Sequence, residues 1–131
     1  MKKILLVEDN PANRKLIGDH LRRVGYEVRE VGTADEGIAL ALADPVDLVV
    51  MDVQLPGTDG LTATRLLRAD PRTRALPILA VTAHAMRGDE ARILAAGCDA
   101  YAAKPIAYRD FLALVARLLD EPRGEEPASR P

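Results

Sequence analysis

Five polar residues in this chain each stand at the end of a short apolar run. Glu8 and Asp9 follow Ile4-Leu5-Leu6-Val7, Asp52 follows Leu48-Val49-Val50-Met51, Thr82 follows Ile78-Leu79-Ala80-Val81, and Lys104 follows Ala100 to Ala103, with Pro105 next. If the runs are parallel strands, these side chains meet outside the carboxyl ends, where open α/β sheets bind their ligands. Carboxylates within a few ångströms of one another disfavour ionisation. Protonation is one remedy and a divalent cation is another. An all-oxygen site with few carboxylates, completed by water and backbone carbonyls, suits Mg²⁺, which keeps several of its waters. Mg²⁺ sites of this kind commonly handle phosphate. A hydroxyl and a lysine nearby can hydrogen-bond or neutralise phosphoryl oxygens, and a carboxylate can itself accept the phosphoryl group.

The elements that must position these residues are legible in the pattern. The three strong runs are apolar at successive positions and bounded by polar or turn residues, which is how a strand buried on both faces reads. Val28 to Val31 and Ala100 to Ala103 are weaker candidates, nearer the sheet edges. Between the runs lie helical patterns. Asn10-Pro11 is an N-cap followed by proline at the first helical position, and Leu16, Ile17, Leu21 and Val24 recur on one face before Gly25. Thr33-Ala34-Asp35-Glu36 reads as a capping box ahead of Ile38, Leu40, Ala41 and Leu42. Leu61, Leu66 and Leu67 mark a third helix that closes before Pro71. Met86 to Ala96, closed by Gly97, reads as a fourth, and Phe111, Leu114, Val115, Leu118 and Leu119 form the stripe of a fifth. Five alternations of strand and helix predict one doubly wound α/β domain with a parallel sheet and right-handed crossovers. A closed barrel of eight such units needs about 250 residues, and this chain has 131.

Composition narrows the function classes. Aromatics are 3% of the residues, so the core is aliphatic and a base-stacking nucleic-acid platform is excluded. The net charge of −2 lacks the basic footprint of a nucleic-acid binder. One cysteine, Cys98, cannot form an internal disulfide or a thiolate metal cage. No apolar run approaches the roughly 18 residues of a membrane span, and acid follows the first apolar run too soon for a signal peptide. A soluble cytoplasmic protein is expected. Residues 120–131 carry three prolines, four acids and two arginines with almost nothing apolar, and are expected to be a disordered tail behind a domain of residues 1–119.

Each residue also has a plainer reading. Glu8 and Asp9 can serve a helix cap, Asp52 can simply end a strand, Thr82 can be a structural hydroxyl and Lys104 a solvated charge. What favours chemistry is the constellation, not any one member. His20, behind the apolar stripe of the first helix, reads as a packing or surface residue. His84, in the loop after Thr82, reads as tuning access, and Cys98 as an ordinary small residue.

Taken in order, Val7-Glu8-Asp9-Asn10, Met51-Asp52-Val53-Gln54-Leu55-Pro56-Gly57, Val81-Thr82-Ala83 and Lys104-Pro105 resemble the receiver domain of two-component response regulators, over about residues 3–119. Glu8-Asp9-Asn10 and Ala85-Met86-Arg87-Gly88-Asp89-Glu90 narrow the resemblance to the single-domain cell-cycle regulators of that family, a pattern shared with receivers of hybrid kinases. The resemblance implies a flavodoxin-like (βα)5 fold with strand order 2-1-3-4-5. It implies that Asp52 is the phosphoacceptor, that Asp9 and Asp52 ligate Mg²⁺ by side chain, Gln54 by its backbone carbonyl and Glu8 through water, and that Thr82 and Lys104 bind phosphoryl oxygens. Thr82 and Tyr101 would be the switch pair, although Tyr101 also reads as a half-buried packing aromatic. Lys104-Pro105 would be a cis peptide, a form essentially confined to proline. The phosphoryl donor would be a sensor histidine kinase or a histidine phosphotransfer protein, docking on the first helix around Asn13, Leu16, Ile17 and His20. The output would be a downstream protein target on the face of the fourth helix, fifth strand and fifth helix. No nucleic acid or membrane insertion is expected, and the state would be monomer or weak dimer.

Two other classes use the same sheet. An aspartate-nucleophile phosphatase usually carries a second acid two residues after the nucleophile, where this chain has Gln54, leaving no general acid at that place. A flavin protein needs a phosphate loop after the first strand, where Glu8 and Asp9 would repel phosphate unless a metal intervened.

Overall fold

The computed structural model describes residues 1–83 and 88–120. Its elements in chain order are β1 (Lys3–Val7), α1 (Pro11–Arg23), β2 (Glu27–Val31), α2 (Ala34–Ala43), β3 (Leu48–Asp52), α3 (Gly60–Ala69), β4 (Ile78–Thr82), α4 (Asp89–Ala96), β5 (Ala100–Ala103) and α5 (Tyr108–Asp120). All strand pairs are parallel, and the sheet order is β2-β1-β3-β4-β5. The doubly wound sheet and its order are as expected, with the two weak runs at the edges.

The unbroken apolar runs follow from burial on both faces. Successive strand side chains point to opposite sides of a sheet. Leu5, Val7, Val49, Met51, Ile78 and Ala80 therefore enter one core layer with residues of α2, α3 and α4. Ile4, Leu6, Leu48, Val50, Leu79 and Val81 enter the other, with Ile17 and Leu21 of α1 and Phe111, Val115 and Leu118 of α5. On the edge strand β2 only Val28 is buried. Glu27 and Arg29 pair with each other there, and Arg29 also pairs with Asp44. Charges of this kind guard an open edge.

Helix starts are set by short side chains. Asn10 Oδ1 accepts the Asn13 N–H at 3.0 Å, Thr33 Oγ1 the Glu36 N–H at 3.1 Å and Asp59 Oδ1 the Thr62 N–H at 2.8 Å. Each satisfies a first-turn donor that no helical carbonyl reaches. In the expected capping box, the Glu36 carboxylate reaches back to the Gly32 N–H and the Thr33 hydroxyl.

Three expectations need correction. Leu16 and Val24 of the first helical stripe are 51% and 53% exposed, and Leu66 is 52% exposed. Only Ile17 and Leu21, and Leu61 and Leu67, point squarely at the sheet, because a helix packed on a flat layer buries a narrow strip. The fourth helix begins at Asp89, not Met86: Gly88 at its N-cap has φ +79°, outside helical geometry. The last helix includes Asp120, the residue where the tail was expected to begin. Met86 itself, His84 and residues 121–131 of the expected tail lie outside the described residues.

Candidate functional site

Parallel strands put all their carboxyl ends on one side, and the register decides which residues become neighbours. Val7 pairs with Met51, so the residues one step on, Glu8 and Asp52, lie side by side. Asp52 pairs with Val81, and Thr82 pairs with Ala103, which brings Lys104 to the same end. Glu8, Asp9 and Asp52 offer carboxylate oxygens that all lie within 4.8 Å of one another.

The acids differ in environment. Glu8 and Asp52 are 1% and 2% exposed, whereas Asp9 is open to solvent. Asp52 Oδ1 accepts the N–H of Gln54 at 3.0 Å. Its Oδ2 accepts from Lys104 Nζ at 3.1 Å. Glu8 Oε2 accepts the Asn10 N–H at 3.0 Å, while its Oε1 is buried with no hydrogen-bond partner. Lys104 Nζ stands 3.6 Å from that oxygen, near enough for charge attraction and too far for a good hydrogen bond. Burial pushes the Glu8 carboxyl above the usual range, the Asn10 N–H opposes that shift, and the Asp52 charge adds to it. The Lys104–Pro105 peptide is cis, as expected.

An orphaned buried carboxylate oxygen among converging acids is costly unless something positive or donating fills the place. The donor set is all oxygen and mostly anionic, the preference of a hard divalent cation and not of a soft one.

Thr82 is fully buried at the end of β4. Its Oγ1 accepts from Gln54 Nε2 at 3.3 Å and donates to Asp89 Oδ2 at 3.1 Å. Tyr101 is half-buried in β5, paired with Ala80, and packs on the layer that holds Ile93 and Ala96 of α4. It does not join the acid cluster. Beside the acids, a cleft of about 470 Å³ opens between α1 and the β5–α5 loop. Glu8, Asn13, Leu16, Lys104 and Ile106 line it, and the exposure of Leu16 faces this space.

The arrangement matches a known family. Residues 4–116 fit the response regulator receiver domain. This chain belongs to that family. The receiver is 41% identical over 120 residues to the polar-differentiation response regulator DivK of Brucella ovis, covering 92% of this chain and 98% of DivK. It superposes on the receiver domain of the sensor histidine kinase PA1611 of Pseudomonas aeruginosa with a TM-score of 0.86 and 38% identity, over 92% of this chain and 98% of that one. That domain was solved with a magnesium ion coordinated in its active-site cleft. The chemotaxis protein CheY4 of Vibrio cholerae aligns with a TM-score of 0.85 at 25% identity, over 90% of this chain and 98% of that one. The family places the receiver in two-component signalling and bears out both the general resemblance and its narrowing toward DivK.

Sequence reasoning missed two participants. Gln54 was singled out for its backbone, yet its side chain reaches across to the β4–α4 loop. Asp89 entered only as part of the motif Ala85 to Glu90, yet it is 4% exposed and is also held by Arg92. Gln54 depends on the pairing of distant segments, and Asp89 on how the chain turns from β4 into α4.

Proposed function

We propose that this receiver is a phosphorylation switch in a phosphorelay. A sensor histidine kinase or histidine phosphotransfer protein presents a phosphohistidine, and Mg²⁺-dependent transfer places its phosphoryl group on Asp52. The carrying observation is the pairing of Asp52 with Lys104 at 3.1 Å beside the orphaned Glu8 oxygen. It is a nucleophilic carboxylate with one cation in place and anionic oxygens to hold another.

Asp9 and Asp52 side chains and the Gln54 carbonyl would hold Mg²⁺, with Glu8 acting through water. When bound, the ion neutralises charge on the phosphoryl oxygens and on the acids. The bond formed joins an Asp52 oxygen to phosphorus. The bond broken is the donor's P–N bond, whose electron pair returns to the imidazole nitrogen. Lys104 stabilises the charge that builds on the phosphoryl oxygens, an effect of preorganised groups in a partly dry site. Thr82 would donate its hydroxyl to one of those oxygens, and Tyr101 would follow it inward. That movement would repack the α4-β5-α5 face, where a downstream protein binds with an affinity that depends on phosphorylation.

The cleft between α1 and the β5–α5 loop fits the donor's approach, because it ends at Glu8 and Lys104. With Gln54 where a hydrolase would keep an acid, the domain acts on its own phosphorylation and does not turn over free phosphomonoesters. The test is incubation with acetyl phosphate, with and without Mg²⁺, read by intact mass beside Asp52→Asn. One phosphoryl adduct that needs both Mg²⁺ and Asp52 is expected. An equal adduct on Asp52→Asn would overturn the assignment.

A further inference from the structure

The Gln54 carboxamide bridges two strand ends. Its Nε2 donates to Thr82 Oγ1 at 3.3 Å, and its Oε1 accepts the Ala83 N–H at 3.2 Å. Partner chemistry orients the whole chain of bonds. The Ala83 N–H can only donate, so the amide oxygen faces it and the amide nitrogen faces Thr82. The Thr82 oxygen therefore accepts from Gln54 and gives its single hydrogen to the acceptor-only carboxylate of Asp89, at 3.1 Å. Asp89 is buried in the first turn of α4, and Arg92 holds its other oxygen.

Two donors at the mouth of the site, the Thr82 hydroxyl and the Ala83 N–H, are thus committed to internal acceptors. Gln54 also belongs to the Asp52 side of the site, because its own N–H is on Asp52 Oδ1. A phosphoryl group on Asp52 brings acceptor oxygens to the same mouth, and a hydroxyl has only one hydrogen to give.

We propose that Gln54 and Asp89 form an autoinhibitory latch: each holds one of the donors that a phosphoryl group on Asp52 must capture, so that phosphorylation proceeds by displacing them. This rests on the receiver reading above. Displacement has a consequence on each side. Gln54, exposed at the surface, swings into solvent at little cost. Asp89, being buried, loses the Thr82 hydroxyl and keeps only Arg92 among these two partners, so the strain of activation passes into the first turn of α4. Gln54 is then a positioning residue that sets how readily the site accepts a phosphoryl group.

The test titrates the Mg²⁺-loaded protein with beryllofluoride, a phosphoryl mimic, and follows backbone amides by NMR. Gln54→Met removes both hydrogen bonds and keeps the bulk, Gln54→Ala removes both, and either leaves the backbone carbonyl in place. Both variants are expected to bind beryllofluoride about fivefold more tightly than wild type, the value of roughly one net hydrogen bond. In both, the Ala83 amide resonance of the free protein is expected to move away from its wild-type position. Thermal midpoints are measured alongside: a purely structural Gln54 would lower the midpoint and leave affinity unchanged. Unchanged or weaker binding in the two variants overturns the latch, as does tightening in Gln54→Ala alone, which would make the effect one of bulk. Failure of wild type to bind beryllofluoride, or equal binding by Asp52→Asn, overturns the receiver reading itself.

Discussion

Lys104 Nζ lies 3.1 Å from Asp52 Oδ2, although 52 positions separate the two residues. The contact makes the buried acid pair tenable. Glu8 and Asp52 are both nearly inaccessible, and carboxylates out of water need a partner cation within a few ångströms. Lys104 supplies one charge to two acids and is itself only partly buried. The site therefore carries a net negative charge beside Asp9, and a further cation is electrostatically favoured.

Removing that lysine separates its two roles. Lys104→Met is expected to bind Mg²⁺ more tightly, because a competing cation has gone. It is expected to accept phosphate from acetyl phosphate roughly 100-fold more slowly, because the cation proposed to stabilise phosphoryl charge has gone. Calorimetry with Mg²⁺ and phosphorylation kinetics by intact mass measure the two effects. Weaker Mg²⁺ binding would mean that Lys104 orders the acids and does not merely neutralise them.

Glu8 gives a pH dependence whose sign follows from its shift. Burial raises its native pKa above the ordinary value of about 4.3 for an unfolded glutamate. Below that value both states are protonated and the group contributes nothing. Between the unfolded and the raised native value the folded state binds more protons, so stability falls as pH rises. Above the native value the penalty is complete. Without Mg²⁺, Glu8→Gln is therefore expected to melt higher than wild type at pH 7, with the difference vanishing below about pH 4. Added Mg²⁺ is expected to raise the wild-type midpoint more than the variant's, since a ligand stabilises the state that binds it. Thermal scans against pH, with and without Mg²⁺, read both effects, and a variant that melts lower at pH 7 in the absence of metal would contradict the sign.

Gly60 opens α3 directly behind Asp52. A Cβ there would run into the Asp52 carbonyl oxygen and against Val53 Cα, so β3 and α3 can approach this closely only with glycine. Gly60→Ala is expected to cost about 1–3 kcal/mol of stability, as overpacking does, and to slow phosphorylation by shifting Asp52. Gly57→Ala is the contrast. Gly57 has φ +72° and open space around it, so the cost there is local backbone strain and the rate of phosphorylation should hold. Urea unfolding and acetyl phosphate kinetics on the pair would expose the difference, and equal kinetics in both would contradict it.

Arg68 ties the opposite end of the sheet. From α3 it donates to Asp99 Oδ2 at 2.9 Å, to the Gly97 carbonyl at 2.9 Å and to the Leu76 and Arg74 carbonyls at 2.6 and 3.0 Å. Asp99 in turn accepts the Ile78 N–H at 2.8 Å. Arg68→Met keeps the stem and loses every bond. A loss of about 2–4 kcal/mol is expected, from several charge-assisted hydrogen bonds and one partly buried ion pair broken together. Phosphorylation of Asp52 should continue at close to the wild-type rate, because the clamp is remote from the carboxyl ends. A denaturant midpoint unchanged from wild type would show the network to be ornamental.

The sequence alone was sufficient for the strands and the sheet class, and for naming acids, a hydroxyl and a lysine that the structure brings to one end of the sheet. Ile4 to Val7, Leu48 to Met51 and Ile78 to Val81 are unbroken because both faces of an inner strand are covered, and that signature is local. Asn10 and Thr33 announce helix starts for the same reason, since a cap bonds within three residues. The acids, hydroxyl and lysine could be gathered because strand direction alone sends every carboxyl end to one side. Side-chain partners were a different matter. Tertiary structure decided that Leu16, Val24 and Leu66 face outward, because an apolar stripe does not state how wide a strip its neighbour covers. It decided that Glu8 keeps an oxygen with no hydrogen-bond partner, that Gln54 holds the Ala83 N–H, that Asp89 accepts the Thr82 hydroxyl, and that His20 stacks on Tyr108 with ring centres 3.7 Å apart. The Gln54–Ala83 and His20–Tyr108 contacts join segments distant in the chain, and the Thr82–Asp89 bond spans the turn from β4 into α4. Their geometry comes from strand register and helix packing, which are properties of the assembled core and are encoded in no single stretch of it.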